Sequence, residues 1–206
     1  MRRIGITGRL VQDHKTGEIR DCLDIGWAEY INSLGYEPYH VLYTKQSGPI
    51  PAFDALILSG GNSLSSVEDN SLSVMRDDFE SHLYSLCTRA KIPVLGVCRG
   101  AQLIWQMLGG QIGACHNHAG TAHSIEMAYV PEQFIVESYH DYCLLKPQSE
   151  LDVEIFALSL PDKLTEGFWA KSRSGLGIMW HPERHLACSK ARGFTDHLIR
   201  QFLGRD

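Results

Sequence analysis

Nothing in this sequence is apolar for long enough to cross a bilayer, so no membrane partner is expected. The opening "MRRIGITGRL" starts basic, but glycines and Arg9 break its apolar run. No targeting segment is therefore expected, and the compartment expected is the cytoplasm. Basic residues are not in excess: 19 Lys and Arg against 24 Asp and Glu leave a net charge of -5. A nucleic-acid partner, which needs a basic face, is not expected either. The six cysteines, Cys22, Cys87, Cys98, Cys115, Cys143 and Cys188, fall singly, with no CxxC pair. That spacing signals neither a zinc clip nor a thioredoxin-type redox motif, and the thiols are expected to be reduced. No repeat, low-complexity tract or long linker divides the chain, so one domain over residues 1–206 is expected.

What is present is an ordinary globular composition, 44% hydrophobic and 21% charged, in a chain long enough for one sizeable core. The first half alternates strand-like and helix-like patches. "RRIGIT" (2–7), "YEPYHVLY" (36–43), "FDALILSGG" (53–61) and "IPVLGV" (92–97) are apolar and short. Between them, "RDCLDIGWAEYINSLG" (20–35), "SLSVMRDDFESHLYSLCTRA" (71–90) and "GAQLIWQMLG" (100–109) carry helical spacing. This order predicts an α/β fold: a central, mostly parallel sheet with helices on both faces. The second half is richer in strands ("SIEMAYV", "QFIVESY", "LDVEIFAL", "LTEGFWAKS", "GLGIMWH") and predicts a smaller antiparallel addition, before a closing helix over 189–204. A site is expected at the carboxyl ends of the parallel strands.

"PVLGVCRGAQ" (93–102) sets Cys98 between a buried strand and a helix, with Gly96 and Gly100 on either side. G-x-C-x-G is the thiol counterpart of a nucleophile elbow, a strained turn that lifts the side chain above the sheet. The helix N-terminus favours thiolate, and the Arg99 N–H points at an oxyanion formed over the sulfur. Buried structural cysteine is the competing reading, and the elbow alone leaves both open. A base is available in "GIMWHPERH": in an extended segment His181 and Glu183 share a face, so the carboxylate can hold one ring nitrogen and leave the other for Cys98. A surface H-P-E turn is the alternative. A second oxyanion donor fits the double glycine of "LILSGGN", Gly60-Gly61.

Together, "SGGN" (59–62), "GVCRGAQ" (96–102), "ESYH" (137–140) and "MWHPER" (179–184) resemble the class I glutamine amidotransferases and their free-standing γ-glutamyl hydrolase relatives over nearly the whole chain. The resemblance implies the flavodoxin-like fold of that family, with Cys98 as nucleophile, His181 as base and acid, and Glu183 as orienter. It implies the Gly61 and Arg99 N–H groups as the oxyanion hole. Gln102 with Ser138, Tyr139 and His140 would hold the amino-acid end of a γ-glutamyl group. The chemistry implied is hydrolysis of a γ-glutamyl amide through a thioester, without a cofactor.

Within the family, "RDCLD" (20–24), "HAGTAH" (118–123) and "MWHPER" look like the hydrolases of capsular phosphoramidate biosynthesis, which cleave a γ-glutamyl group from a nitrogen on a cytidine diphosphate. The chain departs from that expectation in having only scattered Arg9, Arg20, Arg99 and Arg173 in place of a basic cluster. Arg20 and the His118–His123 loop are the expected contacts for the leaving portion. Arg20 and Asp24 could equally form a solvated helix pair. His116, His118, His123, His140 and Asp141 fit no standard zinc spacing, and the chemistry needs no Lewis acid, so no metal is expected. The tryptophans are expected in the core. Three alternatives stay open: a glutaminase subunit serving a separate synthetase, a hydrolase of γ-glutamyl amines, and a binding or redox-sensing domain without catalysis.

Overall fold

The computed structural model describes residues 1–45, 52–129, 132–146, 150–160, 162–171, 174–184 and 188–204. Arg173 lies outside the described residues. Thirteen strands and four helices follow among those described. The strands of the first half are β1 (Arg3–Thr7), β2 (Arg9–Gln12), β3 (Ile19–Cys22), β4 (Glu37–Val41), β5 (Ala55–Leu58) and β6 (Val94–Val97). Those of the second are β7 (Ile112–Ala114), β8 (Ala119–Met127), β9 (Gln133–Tyr139), β10 (Tyr142–Leu144), β11 (Val153–Ser159), β12 (Thr165–Ala170) and β13 (Gly175–Ile178). The helices are α1 (Ile25–Ser33), α2 (Ser71–Ala90), α3 (Arg99–Met107) and α4 (Ser189–Leu203).

One large sheet runs in the order β4-β1-β5-β6-β13-β12-β11-β8-β9. The pairs from β4 to β13 are parallel, and every pair from β13 to β9 is antiparallel. Period-2 alternation fills both faces of the parallel part. In β5, Ala55 and Ile57 join the cluster under α1 and α4, while Leu56 and Leu58 join the cluster under α2 and α3. Trp27, Trp105 and Trp180 are core residues, and Trp169 packs against the core's edge. No helix among the described residues is long and apolar enough to cross a membrane.

The N-terminal region differs from the expectation. Helix α1 begins at Ile25 rather than near Arg20, because Ile19–Cys22 pairs with Arg9–Gln12 as a hairpin. Asp13, whose side chain accepts from the amides of Lys15 and Thr16, and Gly17 at φ +73° shape its turn. Asp24 is the N-cap of α1, accepting from the Gly26 amide at 2.9 Å. The Arg20–Asp24 helix pair therefore does not form; Arg20 meets Glu18 at 2.7 Å instead. Nor is His118–His123 a free loop: Ala119–Met127 is a strand, held in register against β9 from Ala119↔Tyr139 to Glu126↔Gln133.

Candidate active site

Three adjacent parallel strands, β5, β6 and β13, deliver the principal residues at their carboxyl ends. Gly60 and Gly61 follow β5, Cys98 follows β6, and His181 follows β13. Cys98 is the strained member, at φ 53° and ψ -107°, a region that side-chain-bearing residues rarely occupy. Its N–H is tied to the Ile178 carbonyl at 2.8 Å, and its carbonyl accepts from Gln102 at 3.0 Å as α3 starts. The turn closes only because Gly100 lacks a side chain: a Cβ there would run into the Leu58 carbonyl.

His181 is 2% exposed, and its Nδ1 lies 2.6 Å from Glu183 Oε1, which leaves Nε2 for the other side. A methyl on Gly60 would sit 2.6 Å from His181 Cε1, 3.4 Å from Nε2 and 3.6 Å from Cys98 Cβ. The glycine thus leaves the room that the His181 ring occupies next to Cys98. Burial disfavours the imidazolium, but Cys98 and Glu183 outweigh it and push the His181 pKa up to about 9. The ring of Tyr139 stands edge-on to His181 at 5.7 Å, and the Arg184 guanidinium lies 4.0 Å over the Tyr139 ring.

The glycine loop is braced from below by charge. Arg76, 1% exposed, donates to the carbonyls of Ser59 at 2.8 Å, Gly60 at 3.0 Å and Gly61 at 2.5 Å. Because a trans peptide points its C=O and N–H in opposite directions, engaging the Gly60 carbonyl turns the Gly61 N–H away from Arg76. Glu80, fully buried, pairs with Arg76 at 3.0 Å, accepts from Thr7 at 2.6 Å and also meets Arg99. Arg99 spans on to Asp77. The side chain of Arg99 is therefore anchored in the interior, while its backbone N–H opens α3, where the first amides have no intrahelical acceptor. Sequence reasoning missed Arg76 and Glu80, although a signal was present. They share one buried face of α2 with Leu83, Tyr84 and Cys87, and charges on an apolar stripe are not a solvated face.

Two clefts meet at this centre. One, about 290 Å³, is lined by Gly61, Asn70, Cys98, Gln102, Tyr139 and His140 among others. The other, about 150 Å³, is lined by Arg9, Asp24, Trp27, Gly60, His181 and Glu183 among others. Gln102 donates to the Tyr142 carbonyl at 2.8 Å, which ties α3 to β10 across the first cleft. Ser138 is buried at 1% exposure, with its hydroxyl unpaired among the described residues, and does not line either cleft. Arg20 points to Glu18 and Asp13 and lines neither cleft. His118 and His123 turn inward to Glu166, with Nδ1 and Nε2 respectively 3.5 and 3.4 Å from Oε1.

Residues 27–201 match the family model for class-I glutamine amidotransferases. The chain is 36% identical over 185 residues to the gamma-glutamyl-CDP-amidate hydrolase of Campylobacter jejuni, covering 88% of this chain and 90% of that one. It is 31% identical over 119 residues to the carbamoyl phosphate synthase small chain of Nitratidesulfovibrio vulgaris, covering 56% of this chain and 31% of that protein. The fold matches a glutamine amidotransferase from Thermotoga maritima with a TM-score of 0.65 at 17% identity, over 98% of this chain and 85% of that one. The chain belongs to the class I glutamine amidotransferase family.

Proposed function

We propose that the protein is a cysteine-dependent hydrolase of γ-glutamyl amide bonds, with Cys98, His181 and Glu183 as its triad. The observation that carries this reading is the junction at Gly60, where a Cβ would meet both the Glu183-held His181 ring and the strained Cys98, so that base and nucleophile lie side by side. His181, with its pKa near 9, holds a proton at neutral pH beside the Cys98 sulfur. The Cys98 sulfur attacks the γ-carbonyl carbon, and the N–H groups of Gly61 and Arg99 receive the oxyanion. The C–N bond then breaks as His181 gives its proton to the departing nitrogen. Water adds to the thioester and loses a proton to His181; the C–S bond breaks, glutamate leaves, and the free Cys98 sulfur beside protonated His181 is restored.

The γ-glutamyl portion occupies the cleft beside Gln102, Tyr139 and His140, and the leaving portion lies along the Arg9-lined cleft. The leaving portion proposed is a nucleotide amidate, γ-glutamyl-CDP-amidate, supported by the 36% identity to a hydrolase so named. Arg9, which lines that cleft together with Arg184, supplies a guanidinium for its phosphates, with its side-chain carbons against Gly61. A hydrolysis screen reading released glutamate from γ-glutamyl-CDP-amidate, glutamine, γ-glutamyl amines and folate polyglutamate tests this. Turnover is expected to be highest on the amidate; equal kcat/KM on glutamine would leave only the general γ-glutamyl claim. A second reading, a glutaminase feeding a separate synthetase, is favoured by the likeness to carbamoyl phosphate synthase small chains. It would be selected by a chain inert alone and active with such a partner.

A further inference from the structure

Glu166 on β12 is 1% exposed, yet neither of its carboxylate oxygens has a hydrogen-bond partner among the described residues. Three imidazoles converge on one of those oxygens. His118 Nδ1 lies 3.5 Å from Oε1, His123 Nε2 3.4 Å and His140 Nε2 3.6 Å. Those three nitrogens are themselves buried and without hydrogen-bond partners. A buried carboxylate left this way costs several kcal/mol unless something completes it. Direct charge-assisted hydrogen bonds would draw the atoms to about 2.7–2.9 Å, and the three separations are all longer. Those of His118 and His123 are close to the edge of a tetrahedron whose centre makes bonds of 2.0–2.1 Å, about 3.3–3.4 Å.

We propose that His118, His123 and Glu166, whose donor atoms all lie within 4.8 Å of one another, bind a zinc ion, with His140 beside the carboxylate but outside that set. Imidazole nitrogen with one carboxylate is a zinc-type donor set, unlike the all-oxygen shells of calcium and magnesium. The surroundings also fit. The far nitrogen of His118, Nε2, bonds Asp162 at 2.8 Å, and Asp162 in turn accepts from Ser159, a carboxylate–histidine relay of the kind that orients metal-ligating imidazoles. The rings of His118 and His123 stand 4.6 Å apart at 59°, and those of His118 and His140 5.0 Å apart, fanned rather than stacked. Cys115, whose sulfur is 3.7 Å from His140 Nδ1, offers a different set with His118 and His140. That set would leave Glu166 uncompensated, so the sulfur belongs behind His140 and not on the ion.

Three protein ligands leave the fourth position of a tetrahedral ion to water. The ion would fasten β8 and the loop before it to β12, where Glu166 also faces His140 at the start of the turn to Tyr142. That segment walls the cleft beside Cys98 and supplies the carbonyl that holds Gln102.

The test is metal uptake by the full chain after chelator stripping, read by calorimetric Zn²⁺ titration and by the visible spectrum with Co²⁺. One ion per chain, a raised Tm with zinc, and an intense four-coordinate Co²⁺ spectrum lacking thiolate charge-transfer bands are expected. Glu166→Gln and His123→Ala should abolish stoichiometric uptake, and Asp162→Asn should weaken it by about 10–100-fold. Cys115→Ser and Cys98→Ala should bind as the wild type does. No uptake by the stripped wild-type chain overturns the proposal, a readout independent of whether any variant folds. Thiolate bands in the wild-type Co²⁺ spectrum, or uptake lost with Cys98→Ala, overturn it as well.

Discussion

In the parallel half of the sheet, Arg76, Glu80, Arg99 and Asp77 form a chain of buried charge in which each group has partners of the other kind. In the antiparallel half, Glu166 is just as buried, but its neighbours are three imidazoles that make no hydrogen bond to it. In the first group every charge is paired, Arg99 Nε alone having no hydrogen-bond partner among the described residues, and the group works as a brace: it holds three consecutive carbonyls of the glycine loop in place. The second has its donors aimed at a common point. Burial by itself therefore says little about what a charged cluster does. Satisfaction of its hydrogen bonds separates a scaffold from a binding site.

The largest contrast between the halves is expected in activity. Cys98→Ala should remove turnover, a loss of at least about 10³–10⁴-fold as for other triads, while the variant stays folded and its antiparallel half still takes up zinc. Released glutamate and circular dichroism check this, and retained turnover would end covalent catalysis by Cys98. The next contrast is in stability. Glu80→Gln leaves two buried guanidiniums short of a partner and should cost about 3–5 kcal/mol in urea unfolding. In metal-stripped protein, Glu166→Gln removes a carboxylate that makes no hydrogen bonds and should cost much less. Equal losses would erase the distinction between the two clusters.

A smaller effect sharpens the parallel side alone. His181 has its pKa raised from 6.5 to about 9 in the folded chain, so its charged form stabilises the fold. That contribution is fully present below about pH 6.5 and is lost as pH rises through about 9. The stability gap between wild type and His181→Gln should shrink across that window in unfolding experiments. A gap that is flat from pH 6 to 9.5 would show that His181 is not held as an imidazolium.

The two halves also differ in how much of them the sequence reveals. The β5, β6 and β13 ends are local: an apolar strand runs into Gly60-Gly61, Cys98 or His181 within a few residues, and the H-P-E spacing alone puts Glu183 on His181. The histidine–Glu166 group draws on a loop, two strands and a strand end, brought together by the pairing of β8 with β9 and of β11 with β8 and β12. No spacing rule sees register, which is why the histidines were not expected to bind a metal and Glu166 was not singled out. The hairpin of β2 and β3 was overlooked for another reason. Trp27, Tyr30 and Ile31 do lie on a helical face, and that periodicity masked the Asp13–Gly17 turn preceding it.

The smallest expected effect separates the two arginines of that hairpin. Arg20 is half-exposed, 54% by its side chain, and is already paired with Glu18 at 2.7 Å. Such a surface pair contributes at most about 1 kcal/mol, and Arg20 faces neither cleft. Arg9 instead lines the cleft beside His181, its aliphatic stem packed against Gly61 on the side where a leaving group would emerge. A guanidinium there can take phosphate oxygens in a bidentate grip. Arg9→Ala should therefore lower kcat/KM on a γ-glutamyl nucleotide amidate by about 10-fold or more, with little change on glutamine, which has no phosphate to lose. Arg20→Ala should change both by less than about 2-fold. If Arg20→Ala alters the ratio of the two substrates and Arg9→Ala does not, the leaving portion follows the outer strand of the hairpin, and the cleft assignment made here is wrong.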